Sequence, residues 1–443
     1  MKKEKTIKPT RSHFTILGQL CNLIPGHEVS KLARETGVAE QARSFSPWDH
    51  VVSLIYAQLT HSIGLNDVCD SLQLHAGPLS QVRGAAPPSR NGLSYANQQR
   101  SPEMAEKLFW RMMDCLQEQS PGFGRGRNRG RAFRFKVPIY VLDSSVLELV
   151  ANSMPWFKHR RRKAAAKTHM RLNLQTLLPE MVIVGTAAEH DNTQARELCA
   201  GLKPGEIALF DKAYVDFGHL QDLDEREIFW VTRAKDNLAY EVVKPMPKSK
   251  DDKILQDEVI VLSNPNKPAP ELMRRVVALV EVDGQEREMV FLTNNLEWSP
   301  RSVADLYRCR WEIEVFFKQI KQTLQLADFL GNSANAVRWQ VWMALLTYLL
   351  LRYLSYQSKW SHSFTRLFTI LRAVLWDKLN LGDLLDRYGT AKGHFRNLAR
   401  PEQAYFPGFL LGYGTASVPK HRRARSRRPA GRSKFQIGFW VPF

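Results

Sequence analysis

At 443 residues, with 44% apolar and 10% aromatic residues, the chain is long enough for two or three domains, each with its own core. A formal charge of +19 and an isoelectric point near 9.8 imply a polyanionic partner, with nucleic acid the default. The longest apolar run, Val341 to Leu351, is too short to span a bilayer, and five scattered cysteines without a C-x-x-C pair argue against a disulfide framework or a zinc site.

Residues 12–119 read as mostly helical. Apolar residues recur at helical spacing in Phe14 to Leu23, Val51 to Leu59 and Ala105 to Leu116. Ser46-Pro47 and Ser101-Pro102 look like helix starts, whereas Gly77 to Asn91 reads as a loop. Pro121 to Lys136 holds six Lys/Arg and four glycines and reads as a basic linker. Residues 1–130 are therefore expected to form a helical, DNA-binding N-terminal domain with its linker.

Beyond it the pattern changes to strands. Val137 to Leu142 is an apolar run ending at Asp143, and Ile207 to Phe210 another ending at Asp211. Leu172 to Leu178 and Met181 to Ala187 suggest a hairpin turning at Pro179-Glu180, and Ile228 to Thr232 a further strand. Thr193 to Leu202 and Val215 to Leu223 read as helices. Residues 131–237 thus suit an α/β fold, a mixed sheet with helices on both faces. Residues 238–297 form a β-rich insertion, and 298–400 complete the core with long apolar helices such as Ala336 to Leu354. Residues 401–443 form a basic tail expected to be partly disordered, with eight Lys/Arg between Lys420 and Lys434.

The run Asp305 to Lys321 carries the densest chemistry. On one continuous helix, Tyr307, Arg310, Glu314 and Lys321 would fall within roughly 60° of one another. One acid among cationic and hydrogen-bonding groups suits a site that holds a metal and grips phosphates. Ordinary helix pairing of Glu314 with Arg310 and Lys318 is the plain structural alternative. Asp143 and Asp211, at strand ends, could join Glu314, and three crowded carboxylates call for a divalent ion, Mg²⁺ or Mn²⁺. Lys158 to Arg171, including Arg160, Arg161, Arg162 and Lys163 with Trp156 just before, reads as a basic loop suited to DNA contact. Trp311 could stack on a displaced base or pack in the core. His169 and His190 could hydrogen-bond the carboxylates or serve structure alone.

The spacing Tyr307-x2-Arg310-x3-Glu314-x6-Lys321 resembles the signature of bacterial cut-and-paste DDE transposases of the insertion sequence four family. Leu142-Asp-Ser-Ser145, Asp211-Lys-Ala-Tyr214 and Phe291-Leu-Thr-Asn-Asn295 are similar to that family too. The resemblance implies an RNase H-like core interrupted by a β-rich insertion, with Asp143, Asp211 and Glu314 as metal-binding catalytic acids. It further implies that Tyr307, Arg310 and Lys321 contact DNA phosphates. Phe45-Ser-Pro-Trp-Asp-His50 resembles the helical domain found ahead of such cores, whose expected task is binding terminal inverted repeats. The expected function is metal-dependent end cleavage and strand transfer into target DNA. A homodimer would pair the two ends in the cytoplasm, at the nucleoid and away from any membrane. A nuclease without strand transfer, or a non-catalytic DNA-binding protein, remain the alternatives.

Overall fold

The computed structural model describes residues 9–388, apart from 125–134, 149–164, 187–190, 264–267, 283, 325–329 and 332. The N-terminal third is helical: α1 (Ile16–Cys21), α2 (Gly26–Glu35), α3 (Pro47–Thr60), α4 (Leu65–Leu74), α5 (Ala76–Ser80), α6 (Arg90–Gln99) and α7 (Glu103–Gln119). The start of α3 follows directly from sequence. The Ser46 hydroxyl accepts from the Asp49 amide, the Asp49 carboxylate accepts from the Ser46 amide, and Pro47 needs no partner at the first helical position. Part of the expected loop after Gly77 is helical instead, because Leu79 has a core to bury into.

The sheet follows: β1 (Ile139–Glu148), β2 (Ala165–Asn173), β3 (Leu178–Thr186), α8 (Asp191–Cys199), β4 (Ile207–Phe210), α9 (Phe217–Glu225) and β5 (Phe229–Arg233). Then come β6 (Tyr240–Pro245), β7 (Ile254–Leu262), β8 (Met273–Val282) and β9 (Gln285–Thr293). The order is β3-β2-β1-β4-β5-β9-β8-β7-β6. β1, β2 and β3 form an antiparallel meander, and β4 and β5 run parallel to β1, giving an RNase H-like mixed sheet. The β-rich segment continues this sheet, with β9 pairing antiparallel to β5.

Two boundaries differ from expectation. β1 does not end at Asp143 but runs on to Glu148, held by antiparallel pairing with β2. The β2–β3 turn comes earlier than Pro179-Glu180. The Asn173 side chain accepts from the Gln175 and Thr176 amides, and Leu177 takes a left-handed conformation at φ 56°. Pro179 falls inside β3, opposite Leu172 at a bulge. The apolar run Leu172 to Leu178 conceals a turn closed by an asparagine side chain.

After β9 lie α10 (Pro300–Cys309), α11 (Trp311–Lys318), α12 (Ala334–Gln357), α13 (Phe364–Ala373) and α14 (Leu381–Arg387). Val141, Leu209 and Val231 on one sheet face share a core with Leu306, Ile313 and Phe316 of α10 and α11, with α12, and with the N-terminal helices. Tyr140, Leu142, Phe210 and Trp230 on the other face pack with Leu198 of α8 and Leu220 and Leu223 of α9. Helix α12 is apolar on nearly every side and correspondingly buried from Trp339 to Leu354. Among the described residues, no helix is long and apolar enough to cross a membrane.

Buried Arg274 fixes the approach to α10. It forms a two-pronged pair with Asp257, both bonds at 2.7 Å, and donates to the Leu296 and Trp298 carbonyls. The Asn294 side chain bonds the Trp230 amide and the Ile228 carbonyl, while that of Asn295 accepts from the Glu297 and Trp298 amides. The two asparagines after Thr293 therefore stitch β9 to β5 and shape the turn into α10.

Candidate active site

Parallel pairing between β1 and β4 stops at Leu142 opposite Phe210. The next residue on each strand is an aspartate, so Asp143 and Asp211 stand level where the two strands part. Pairing of β4 with β5 reaches Leu209 opposite Val231. Two residues further along, Arg233 stands level with Asp211. Because side chains alternate along a strand, Asp143, Asp211 and Arg233 project to the face of Val141, Leu209 and Val231. That face is covered by α10 and α11.

The helices meet the strand ends through two side chains. The Tyr307 hydroxyl donates to Asp211 Oδ1 at 3.2 Å. Arg310 Nη1 donates to Asp143 Oδ2 at 3.0 Å, and its Nη2 to Glu314 Oε1 at 2.7 Å. The Ser144 and Lys212 amides bond the aspartates that precede them, at 2.8 and 2.7 Å.

Burial pushes the Asp143 carboxyl up to about 6. Arg310 and the Ser144 amide oppose that rise, and the charges of Glu314 and Asp211 add to it. Burial likewise raises the Tyr307 phenol, keeping it a donor. Burial also disfavours the Arg310 charge, but Tyr307, Asp143 and Glu314 outweigh it and hold the guanidinium firmly protonated.

The Tyr307–Lys321 run is not the single continuous helix that its spacing suggests. Helix α10 closes at Cys309 with a tight bond from the Arg310 amide to the Tyr307 carbonyl at 3.0 Å, and α11 begins at Trp311. A wider π turn, Gln319–Thr323, follows α11 and carries Lys321, half-buried, out of the predicted angular series. The structure thus brings Tyr307, Arg310 and Glu314 to the aspartates, and sets Lys321 in the turn beyond. Trp311 packs half-buried against the main core, and Trp298 packs between Phe135 and Phe229, with ring centroids 5.2 Å away on each side.

Arg160, Arg161, Arg162 and Lys163, with Trp156 and His190, lie outside the described residues. The end of the expected basic loop is strand: Lys167, His169 and Arg171 belong to β2. His169 pairs across from Ser144 and meets the Tyr214 hydroxyl at 3.4 Å, on the opposite sheet face from Asp143. Arg171 is buried and donates to the Leu198 carbonyl at 2.7 Å, which ties the sheet to α8.

Sequence reasoning missed two contributors. Arg233 lies near enough for its charge to act on Tyr307, and its side chain makes no hydrogen bond or ion pair among the described residues. It ends a strand as Asp143 and Asp211 were expected to, and the same logic would have found it. His61 at the end of α3 bonds the Thr323 carbonyl of the π turn at 2.6 Å. Arg372 donates to its other ring nitrogen at 2.8 Å and Phe368 stacks on it, a contact between distant segments that no local pattern announces.

The transposase DDE domain family model matches residues 135–350, the span holding both aspartates, Tyr307, Arg310 and Glu314. This chain carries a transposase DDE domain. It is 29% identical over 348 residues to the probable transposase for insertion sequence element IS5377 of Geobacillus stearothermophilus, covering 78% of this chain and 86% of that one. It is 22% identical over 374 residues to the transposase for insertion sequence element IS231D of Bacillus thuringiensis, covering 72% and 75%. Residues 12–82 match a domain family of unknown function. A cryo-EM structure of a piggyBac transposase synaptic complex with hairpin DNA aligns over 83% of this chain and 82% of that chain, at 11% identity and a TM-score of 0.41.

A transposase DDE domain implies a divalent-metal cofactor. The donors present fit one in kind, since three carboxylates offer the hard oxygens such an ion prefers, and the charges of Glu314 and Asp211 both act on Asp143. In arrangement they differ. Among the described residues no three His, Cys, Asp or Glu side chains converge closely enough to hold an ion, and Arg310 stands between Asp143 and Glu314.

Proposed function

We propose that this transposase cuts and joins the ends of an insertion sequence with Asp143, Asp211 and Glu314 as its catalytic acids. The observation that carries the reading is the level placement of Asp143 and Asp211 where β1 and β4 part, with Arg310 drawing Glu314 to the same place. The DNA substrates are the element's terminal inverted repeats and then the target. The relatives' names as transposases of insertion sequences and the net charge of +19 support them. Two chains acting as a homodimer would pair the two ends, and the protein would work at the nucleoid in the cytoplasm.

Asp143, Asp211 and Glu314 would hold Mg²⁺, or Mn²⁺ in its place; the bound ion supplies activation of the attacking oxygen and neutralisation of charge at the leaving one. The chain's other groups position and neutralise. Tyr307, whose phenol stays protonated, orients Asp211. Arg310 and Arg233 offer positive charge to the reacting phosphate, and Lys321 extends that charge along the strand. Water breaks the phosphodiester at the element end and frees a 3′ hydroxyl. That hydroxyl then attacks a target phosphodiester and displaces its 3′ oxygen, so the number of P–O bonds is unchanged. Arg160, Arg161, Arg162, Lys163 and Trp311 would add DNA contacts, and the helices of the N-terminal third would bind the repeats.

The test is incubation of the full chain and Mg²⁺ with a plasmid carrying the element and its flanks. Excised element joined to target DNA is expected. Cleavage without joined product would assign a nuclease instead.

A further inference from the structure

Two acids of this site already share a cation that belongs to the protein. Arg310 reaches Asp143 on β1 and Glu314 on α11 with separate nitrogens, at 3.0 and 2.7 Å, and its side chain is only 8% exposed. Tyr307 covers it, with the guanidinium carbon 5.5 Å from the ring centre. A guanidinium bridging two carboxylates and a divalent ion bridging the same two are alternatives, because the two cations would compete for the same lone pairs and repel each other. The guanidinium has one other partner that it grips in the same two-pronged way, a phosphate.

We propose that in the DNA-free protein Arg310 is the counter-ion of Asp143 and Glu314 and holds divalent cations off, and that a substrate phosphate draws it away from the acids. The inference rests on the reading of Asp143 and Glu314 as ion ligands. Its consequence is linkage: DNA and the ion strengthen each other's binding by the same factor. The site then loads its metal when a scissile strand is present, and stays neutralised from within when none is.

The test is a Mn²⁺ titration of the DNA-free full chain, following the free ion by electron paramagnetic resonance. Wild type, Arg310→Gln and Arg310→Lys are compared, each with and without Glu314→Gln. Arg310→Gln should bind Mn²⁺ about tenfold more tightly than wild type, with the gain lost on adding Glu314→Gln. Arg310→Lys keeps the charge and should stay near wild type. Equal Mn²⁺ binding by wild type and Arg310→Gln, both abolished by Glu314→Gln, would overturn the inference while leaving the acids as ligands. Mn²⁺ binding that ignores Glu314 in every variant would overturn both. Arg310→Lys binding as tightly as Arg310→Gln would assign the gain to loosened packing and also overturn the inference. If the Arg310→Gln protein does not fold, wild type decides alone. A duplex ending in the element's terminal repeat should tighten Mn²⁺ beyond the duplex-only blank, and no tightening would overturn the proposal.

Discussion

Asp211 and Tyr307 show how one side chain sets another. The phenol is buried, stays protonated and donates a single hydrogen bond to the carboxylate. Tyr307→Phe removes that bond and little volume, so the expected loss is about 1 kcal/mol of orientation, or roughly fivefold to tenfold in the rate of end cleavage. Binding of the ends should be nearly unchanged, and single-turnover rates beside binding curves check the split. Arg233 belongs to a different class, because among the described residues its side chain has no hydrogen bond or ion pair to lose. Arg233→Gln should weaken binding evenly across sequences and lower the slope of log affinity against log salt by about one, with little change in thermal stability. A salt titration of labelled element ends measures it. The spacing of Tyr307, Arg310 and Glu314 was legible in the sequence, as were the aspartates after two apolar runs. Arg233 obeyed the same rule and was passed over, since a lone cation after a strand is usually only solvated.

Among the elements, the sheet's centre was more legible than its margins. Ile207–Phe210 reads as a buried strand because all four residues are apolar. β1 was cut short because the strand continues through Asp143, Ser144 and Ser145, whose polar character mimics a loop. The β2–β3 turn was misplaced because its closure depends on an Asn173 side-chain bond rather than on Pro179. The break at Arg310 and the π turn after Lys318 escaped a reading based on helical angles, since a periodic pattern assumes the constant rotation that those turns interrupt. The approach to α10 rests on the buried Arg274–Asp257 pair, whose side chains are 2% and 6% exposed. Removing one partner strands the other charge. Arg274→Met should therefore cost about 3–5 kcal/mol, whereas Arg275→Met, whose pair with Glu258 is more exposed, should cost about 1 kcal/mol or less. Denaturant unfolding of the two variants beside wild type gives the comparison.

At the scale of the whole molecule, one apolar core joins the sheet, α12 and the N-terminal helices. The sequence announced both helical regions through their periodicity, but not that they close on each other, because such contacts have no local signature. His50 of α3 marks the junction, hydrogen-bonded to Asn97 at 2.8 Å and packed on Trp339 of α12. Burial, with the nearby Arg100 charge, lowers its ring to about 3 from an ordinary 6.5. The unfolded chain therefore binds the extra proton between those values. The contribution of His50 is complete above pH 6.5 and is lost as pH falls toward 3. His50→Gln should flatten the fall in melting temperature between about pH 6.5 and 4.5, and thermal melts across that range test it.

The central claim is that Asp143, Asp211 and Glu314 act together as the catalytic acids of a transposase. The most direct measurement is joining of pre-cut element ends to target DNA in Mg²⁺ by wild type, Asp143→Asn, Asp211→Asn and Glu314→Gln, with end binding measured in the same reactions. Each variant is expected to bind ends as wild type does and to lose roughly a thousandfold in joining rate. A variant that binds and joins within about tenfold of wild type would remove that acid from the site and contradict the account.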